Sequence, residues 1–302
     1  GVMVAQDKDK DGKPDKDADG NEIWYELAGS EHYEDTTLWN YSITYKNTVE
    51  NFTPNFSENV PWFDSLGRSG EILANGYHSQ IYFPMPENYQ FEGNAANDMM
   101  GDEITFTGTN IQTLKSLFGY ADVSPNNKGI ATAENPYTHQ HGGGGFMDIA
   151  WAVDKDGKPV QLDEVSFVKI YTNQQTDGGA VGEKSPEILG MLRVNDSEKS
   201  DGKTEKPTII VNGAEVTLGA EDDFTPVVVE SLQNVQIEVA SSLENIYINN
   251  QKVATRTYEK APEKGIVRVI VQTGDLQPTI YTMKLVEKVV QNTIDAISAL
   301  PN

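Results

Sequence analysis

Asp7, Asp9 and Asp11 stand at alternate positions before Gly12, and Asp15, Asp17 and Asp19 repeat that spacing before Gly20. Carboxylates at alternate steps of a loop closed by glycine are how a chain wraps a hard cation. Calcium takes about six to eight oxygens at roughly 2.3–2.6 Å, and the glycine permits the sharp turn that returns later donors to the same ion. In the first set those later donors are the Lys13 carbonyl and Asp15; in the second they are the Asn21 carbonyl and Glu22. The spacing predicts bound Ca2+, with Asp7, Asp9, Asp11, Lys13, Asp15, Asp17, Asp19, Asn21 and Glu22 as candidate ligands. One ion and two are both open. An EF-hand would need a glutamate where Ala18 stands, and no apolar helical pattern flanks the loop. A solvated loop kept soluble by its interleaved lysines is the plainer reading. Ligand number and spacing favour the ion, as a structural staple rather than a catalyst.

Other residues invite chemistry less strongly. His139 and His141, one residue apart, would face the same side of a strand and could hold zinc or copper with Asp148. The four glycines after His141 argue instead for a loop that touches a ligand or is simply exposed. Glu183 and Glu187 are nominees for a glycosidase pair, but that mechanism needs a defined separation across a cleft, which spacing alone does not supply. No nucleophile elbow, zincin helix, phosphate loop or dinucleotide fingerprint is present. Aromatic side chains are the better clue. Tyr and Trp pair a flat apolar face with a polar edge, which suits a sugar ring or a macrocycle. Most of those in the first half read as core. Trp62 and Phe63, in a polar stretch, and Tyr77 beside His78 are the expected ligand-contacting exceptions.

The elements that must position these residues are strands. Tyr41–Tyr45, Ser79–Phe83, Glu103–Thr107 and Val165–Tyr171 alternate apolar with polar residues, and Asp156-Gly157 signals a two-residue hairpin. Thr113–Phe118 reads as a short helix. The stretch 196–206 has almost nothing to bury and reads as a linker between two domains. Strands resume at Thr208–Val211, with Asn212-Gly213 as a turn, and continue through Val227–Val229, Val235–Val239, Ile246–Ile248, Val267–Val271 and Thr279–Leu285. The expected architecture is all-β: a jelly-roll-like β-sandwich over 1–195, an immunoglobulin-like β-sandwich over 207–287, and an amphipathic tail helix over 288–302. Acidic residues outnumber basic ones by 46 to 23, which argues against nucleic acid or an anionic membrane surface as partner. There is no cysteine, so disulfides, thiolate metal sites and a cysteine nucleophile are excluded. No apolar run approaches the roughly 18–20 residues of a membrane span.

Several phrases together resemble a family of exported surface proteins from Bacteroidetes. They are Gly1–Asp7, the aspartate loop, Trp24–Glu31, Phe146–Asp154, Val165–Thr172 and Gly182–Ile188. The loop spacing itself resembles thrombospondin type 3 and dockerin-like calcium sites. Residues 207–287, opening on Ile-Val-Asn-Gly and ending on Tyr281-Thr-Met-Lys, resemble the cadherin-like modules that bacterial surface proteins carry in tandem. The resemblance implies an outer-membrane lipoprotein or secreted protein facing the medium, with further strands upstream of Gly1. The second aspartate set departs from the family as an insertion. Asp35-Thr36-Thr37 and Asp64-Ser65-Leu66 also look like the O-glycosylation triplet of that phylum.

The resulting expectation is a non-enzymatic, calcium-stabilised surface protein that captures a glycan or a corrinoid for an outer-membrane importer. Its expected partners are that importer or other surface proteins, and a structural adhesion protein with no small ligand is the first alternative. A calcium-dependent glycan-active enzyme is the second.

Overall fold

The computed structural model describes residues 1–46, 59–73, 103–111, 147–173, 175, 188, 191, 204–220, 223–240, 245–273 and 278–289. Among the described residues the chain is all-β, with four four-stranded sheets and no α-helix. It divides into two compact units, Gly1–Ser200 and Asp201–Asn302.

The first unit has two antiparallel sheets. One orders β1 (Val2–Ala5), β2 (Tyr25–Leu27), β7 (Ala152–Val153) and β8 (Phe167–Ile170) as β7-β2-β1-β8. The other orders β3 (Thr37–Lys46), β4 (Val60–Asp64), β5 (Ser69–Ile72) and β6 (Glu103–Ile111) as β5-β4-β3-β6. Val4, Leu27 and Ala152 bury one apolar cluster in the first sheet, and Val60 and Ile72 a second, smaller one with Trp62 and Tyr45 against it. β3 carries a bulge between Leu38 and Tyr41, where Asn40 takes a positive φ and its amide donates to the Lys155 carbonyl at 2.8 Å.

The second unit contains β9 (Thr208–Val211), β10 (Ala214–Val216), β12 (Gln233–Ala240) and β14 (Thr255–Lys260) in the order β10-β9-β12-β14. Its other sheet orders β11 (Phe224–Val229), β16 (Thr279–Glu287), β15 (Ile266–Gln272) and β13 (Asn245–Ile248) as β11-β16-β15-β13. β11 and β16 run parallel. Alternate residues of both sheets, among them Ile209, Val235, Ile237, Val267, Val269 and Met283, form one core. Asn212 and Gly213 both have positive φ, the two-residue turn that the sequence signals.

Three expectations change. The Asp156-Gly157 hairpin has a three-residue loop: Asp154 N–H bonds the Lys158 carbonyl at 2.9 Å, and Gly157 takes the left-handed position. β2, β4, β5 and β14 were not anticipated; in β14 only Tyr258 of the six residues is buried and the rest are polar. Thr204, inside the stretch read as linker, is buried, and its hydroxyl accepts from Thr273 N–H at 3.1 Å. The strand at Ser79–Phe83, the helix at Thr113–Phe118 and the tail helix beyond Val289 lie outside the described residues.

Gly70 has a packing reason to be glycine. It pairs with Trp62 across β4 and β5, and an added Cβ would stand 2.7 Å from the indole Cζ2. Gly70→Ala is therefore expected to cost about 1–3 kcal/mol. Urea unfolding followed by tryptophan fluorescence would measure this, and an unchanged midpoint would mean that the indole is free to move aside.

Candidate metal centre

The aspartate loop is the connection between β1 and β2. Its base is closed by the Asp15 N–H bonding the Gln6 carbonyl at 2.9 Å and by Ile23 N–H bonding the Asp15 carbonyl at 2.8 Å. Inside it, Asp7 turns both oxygens to backbone donors: Oδ1 accepts from Asp11 N–H at 3.0 Å and Oδ2 from Gly12 N–H at 3.1 Å. Lys8 N–H donates to Asp15 Oδ1 at 2.9 Å, and Lys13 N–H to Asp11 Oδ1 at 2.8 Å. Lys10 and Gly12 have positive φ, so the chain coils tightly enough to reach back. Carboxylate oxygens of Asp7, Asp9 and Asp15 come within 4.8 Å of one another. Oxygens bound to one ion at about 2.4 Å can be no more than about 5 Å apart, so this cluster can hold a metal ion. All three donors are hard oxygens on half-buried or exposed residues, which suits a hard cation rather than a thiophilic one.

The second aspartate set is built differently. Asp17 N–H bonds the Asn21 carbonyl at 2.8 Å, Gly20 N–H bonds the Asp17 carbonyl at 3.0 Å, and Lys16 and Glu22 pair as an antiparallel backbone β-bridge. Asp17 Oδ1 accepts from Asp19 N–H at 3.0 Å and Asn21 N–H at 2.9 Å. These bonds, that from Asn21 foremost, hold the Asp17 carboxyl below its ordinary range. The same turn occurs twice more. Asp154 Oδ1 accepts from Asp156 and Lys158 N–H, both at 2.9 Å, and Asp64 Oδ1 accepts from Leu66 and Arg68 N–H at 3.0 and 2.7 Å. Each turn reads Asp-x-x-Gly-x with the glycine left-handed. The hydrogen bonds of Asp7 reach four and five residues ahead, whereas those of Asp17 reach two and four. Similar composition thus gives a coiled loop in one place and a hairpin turn in the other.

Of the predicted ligands, Asp7, Asp9 and Asp15 converge. Asp11 caps the Lys13 amide, and Asp17, Asp19 and Asn21 shape the hairpin. Glu22 accepts from the Trp24 indole N–H at 2.8 Å, and Lys169 lies 4.0 Å over the Trp24 ring. Burial lowers the Lys169 pKa, with Glu22 working the other way. Asp148 caps the 3-10 turn Ile149–Trp151, its Oδ1 accepting from Ala150 N–H at 2.9 Å. Trp62 packs on Gly70 and in the small cluster of β4 and β5, whereas Phe63 on the opposite face of β4 is 42 % exposed with Lys46 Nζ 5.4 Å over its ring. Tyr77, His78, His139, His141, Glu183 and Glu187 lie outside the described residues.

Sequence reasoning missed a buried polar cluster centred on Glu26. Its carboxylate accepts from the Thr109 hydroxyl of β6 and the Tyr171 hydroxyl beyond β8, and its Oε1 lies 3.1 Å from His32 Nε2. β2 and β6 belong to different sheets, so the Glu26–Thr109 bond ties them together. Burial opposes ionisation of Glu26, but His32 and the hydrogen bonds from His32, Thr109 and Tyr171 outweigh it and hold the carboxyl below its ordinary 4.5. Burial and the adjacent Glu26 raise the Tyr171 pKa well above 10.0, so Tyr171 remains a donor. Residues from positions 26, 32, 109 and 171 share no spacing, and only folding brings them together.

No known family model matches the chain, and no curated protein matches it either.

Because the folded pKa of Glu26 is depressed, its contribution is complete above the ordinary value of 4.5 and fades as pH falls through the lower folded value. Glu26→Gln is expected to cost about 1–3 kcal/mol at neutral pH, because the buried donors His32, Thr109 and Tyr171 lose a charged acceptor. It should also flatten the stability loss below about pH 4.5. Denaturant titrations of both proteins across that range would show it, and parallel pH profiles would remove Glu26 from the acid response.

Proposed function

We propose that this is a calcium-stabilised, non-enzymatic surface protein that captures a nutrient ligand, built from a jelly-roll-like β-sandwich followed by an immunoglobulin-like one. The convergence of Asp7, Asp9 and Asp15 within the β1–β2 connection carries the calcium part of this reading. Three carboxylates so close repel one another, and an ion that neutralises them would fasten the two strands that the loop joins. The proposed ion is single. Asp17 is already engaged in a turn of the same build as those at Asp64 and Asp154. Calcium here acts as a staple, filled where free calcium is plentiful, outside the cell. The acidic balance and the phrases resembling exported surface proteins support that location.

Capture of a glycan or corrinoid, for handing to an outer-membrane importer, is supported by the exposed aromatic face of Phe63 beside Lys46. Thr36 and Ser65, the hydroxyls of the two glycosylation triplets, are exposed, which suits modification on a surface protein.

Isothermal calorimetry with calcium tests the staple. One equivalent should bind, Asp7→Asn and Asp15→Asn should each weaken binding about tenfold or more, and Asp17→Asn should leave it nearly unchanged. At calcium about 100-fold above Kd the first unit should gain about 2.7 kcal/mol, seen as a chelator-sensitive rise in its melting temperature. Absence of heat and of any melting shift would overturn the calcium reading. Two equivalents, one lost in Asp17→Asn, would overturn the single ion. A screen of glycans and cobalamin, with calcium and with chelator, tests capture. A hit that Phe63→Ala weakens supports it, and no binding in either condition leaves adhesion as the better function.

A further inference from the structure

His32 is fully buried, and its ring is read by two opposed groups. Nδ1 accepts the Gly29 N–H at 2.9 Å, while Nε2 lies 3.1 Å from Glu26 Oε1. A nitrogen that accepts carries no proton, so the ring is the neutral tautomer with its hydrogen on Nε2. Nδ1 is then the only place a second proton can go, and the Gly29 N–H already occupies that direction. Two N–H groups cannot face each other across 2.9 Å, so the closed turn and the imidazolium exclude one another. The charge itself is tolerable there, because Glu26 supplies its counter-ion.

We propose that protonation of His32 flips the Ala28–Gly29 peptide, replacing the Gly29 N–H at Nδ1 with the Ala28 carbonyl. The flip rotates ψ of Ala28 and φ of Gly29. Gly29 is not among the residues of positive φ, and the flip carries it into that region, which glycine alone enters without penalty. The connection from β2 to β3 thereby has two arrangements selected by acidity. His32 also anchors that connection to β3: its carbonyl accepts the Trp39 indole N–H at 2.9 Å, and the two rings meet edge to face at 5.6 Å. The flip therefore reaches the start of β3 as well.

Among the described residues, Glu26 from β2 faces the ring directly. Tyr171 beyond β8 acts on it through Glu26, and the connection itself carries Glu31, Glu34 and Asp35. None of these is a candidate metal ligand, so the device is independent of calcium.

NMR of the full chain tests it, with its four histidines and its glycines isotope-labelled. His32→Gln and Gly29→Ala assign the signals. With the Gly29 N–H on Nδ1, the ring should be neutral and protonated on Nε2. On acidification the imidazolium signature and the movement of the Gly29 amide signal should share one midpoint. Gly29→Ala should lower that midpoint, because a side chain penalises the flipped backbone. An imidazolium formed while the Gly29 amide stays still would overturn the proposal. So would a neutral ring persisting at the lowest pH, or loss of the folded spectrum before His32 titrates.

Discussion

A carboxylate without water must be satisfied by the protein around it, and in the first unit that group is Glu26. Hydroxyls from β6 and from beyond β8, with the imidazole of the β2–β3 connection, surround it. Each partner comes from a different stretch of chain, so the cluster can form only when both sheets and the connection are in place. The requirement is costly to violate, since an unpaired buried charge loses several kcal/mol. It therefore selects one arrangement of β2 against β6 rather than adding much net stability. In the second unit, alternate residues of two sheets fill one apolar core.

The same strand that carries Glu26 begins at the end of the aspartate loop. β1 and β2 pair with Met3 opposite Glu26 and Val4 opposite Tyr25, and the loop closes the hairpin on the far side. Loop and clamp thus act on the two ends of one strand pair. The loop gathers like charges that favour opening unless a cation offsets them, while the clamp holds β2 across the sheets. A divalent ion at Asp7, Asp9 and Asp15 would make the pairing conditional on its surroundings. The hairpin at Asp17 has no such tension, because its carboxylate is spent on its own amides.

Aspartate has two unrelated uses in this chain, and the contrast explains how much of the site could be read in advance. The alternating spacing at Asp7, Asp9 and Asp11 marked a candidate cation loop, and three of the nine candidate ligands, Asp7, Asp9 and Asp15, come close enough together to hold an ion. The second set has equal spacing but obeys a turn rule, Asp-x-x-Gly-x, that also governs Asp64 and Asp154. Two local programs compete for the same residues there, and hydrogen bonding to nearby amides decides between them. Trp62 and Phe63 show a similar limit. Adjacent strand residues point to opposite faces, so one packs on Gly70 and the other meets solvent; which is which depends on where the sheet has its core.

The sequence by itself determined the all-β character, most strand positions, the Asn212-Gly213 turn and the acidic loop. All of these follow from period, turn chemistry and spacing within a few residues. β14 escaped because its polar side chains hide the alternation, and its place is secured by pairing with β12. Tertiary structure alone decided which aspartates share a site, which face of β4 is covered, and that Glu26, His32, Thr109 and Tyr171 meet. Those outcomes depend on contacts between residues as far as 145 positions apart, and local preference carries no information about them.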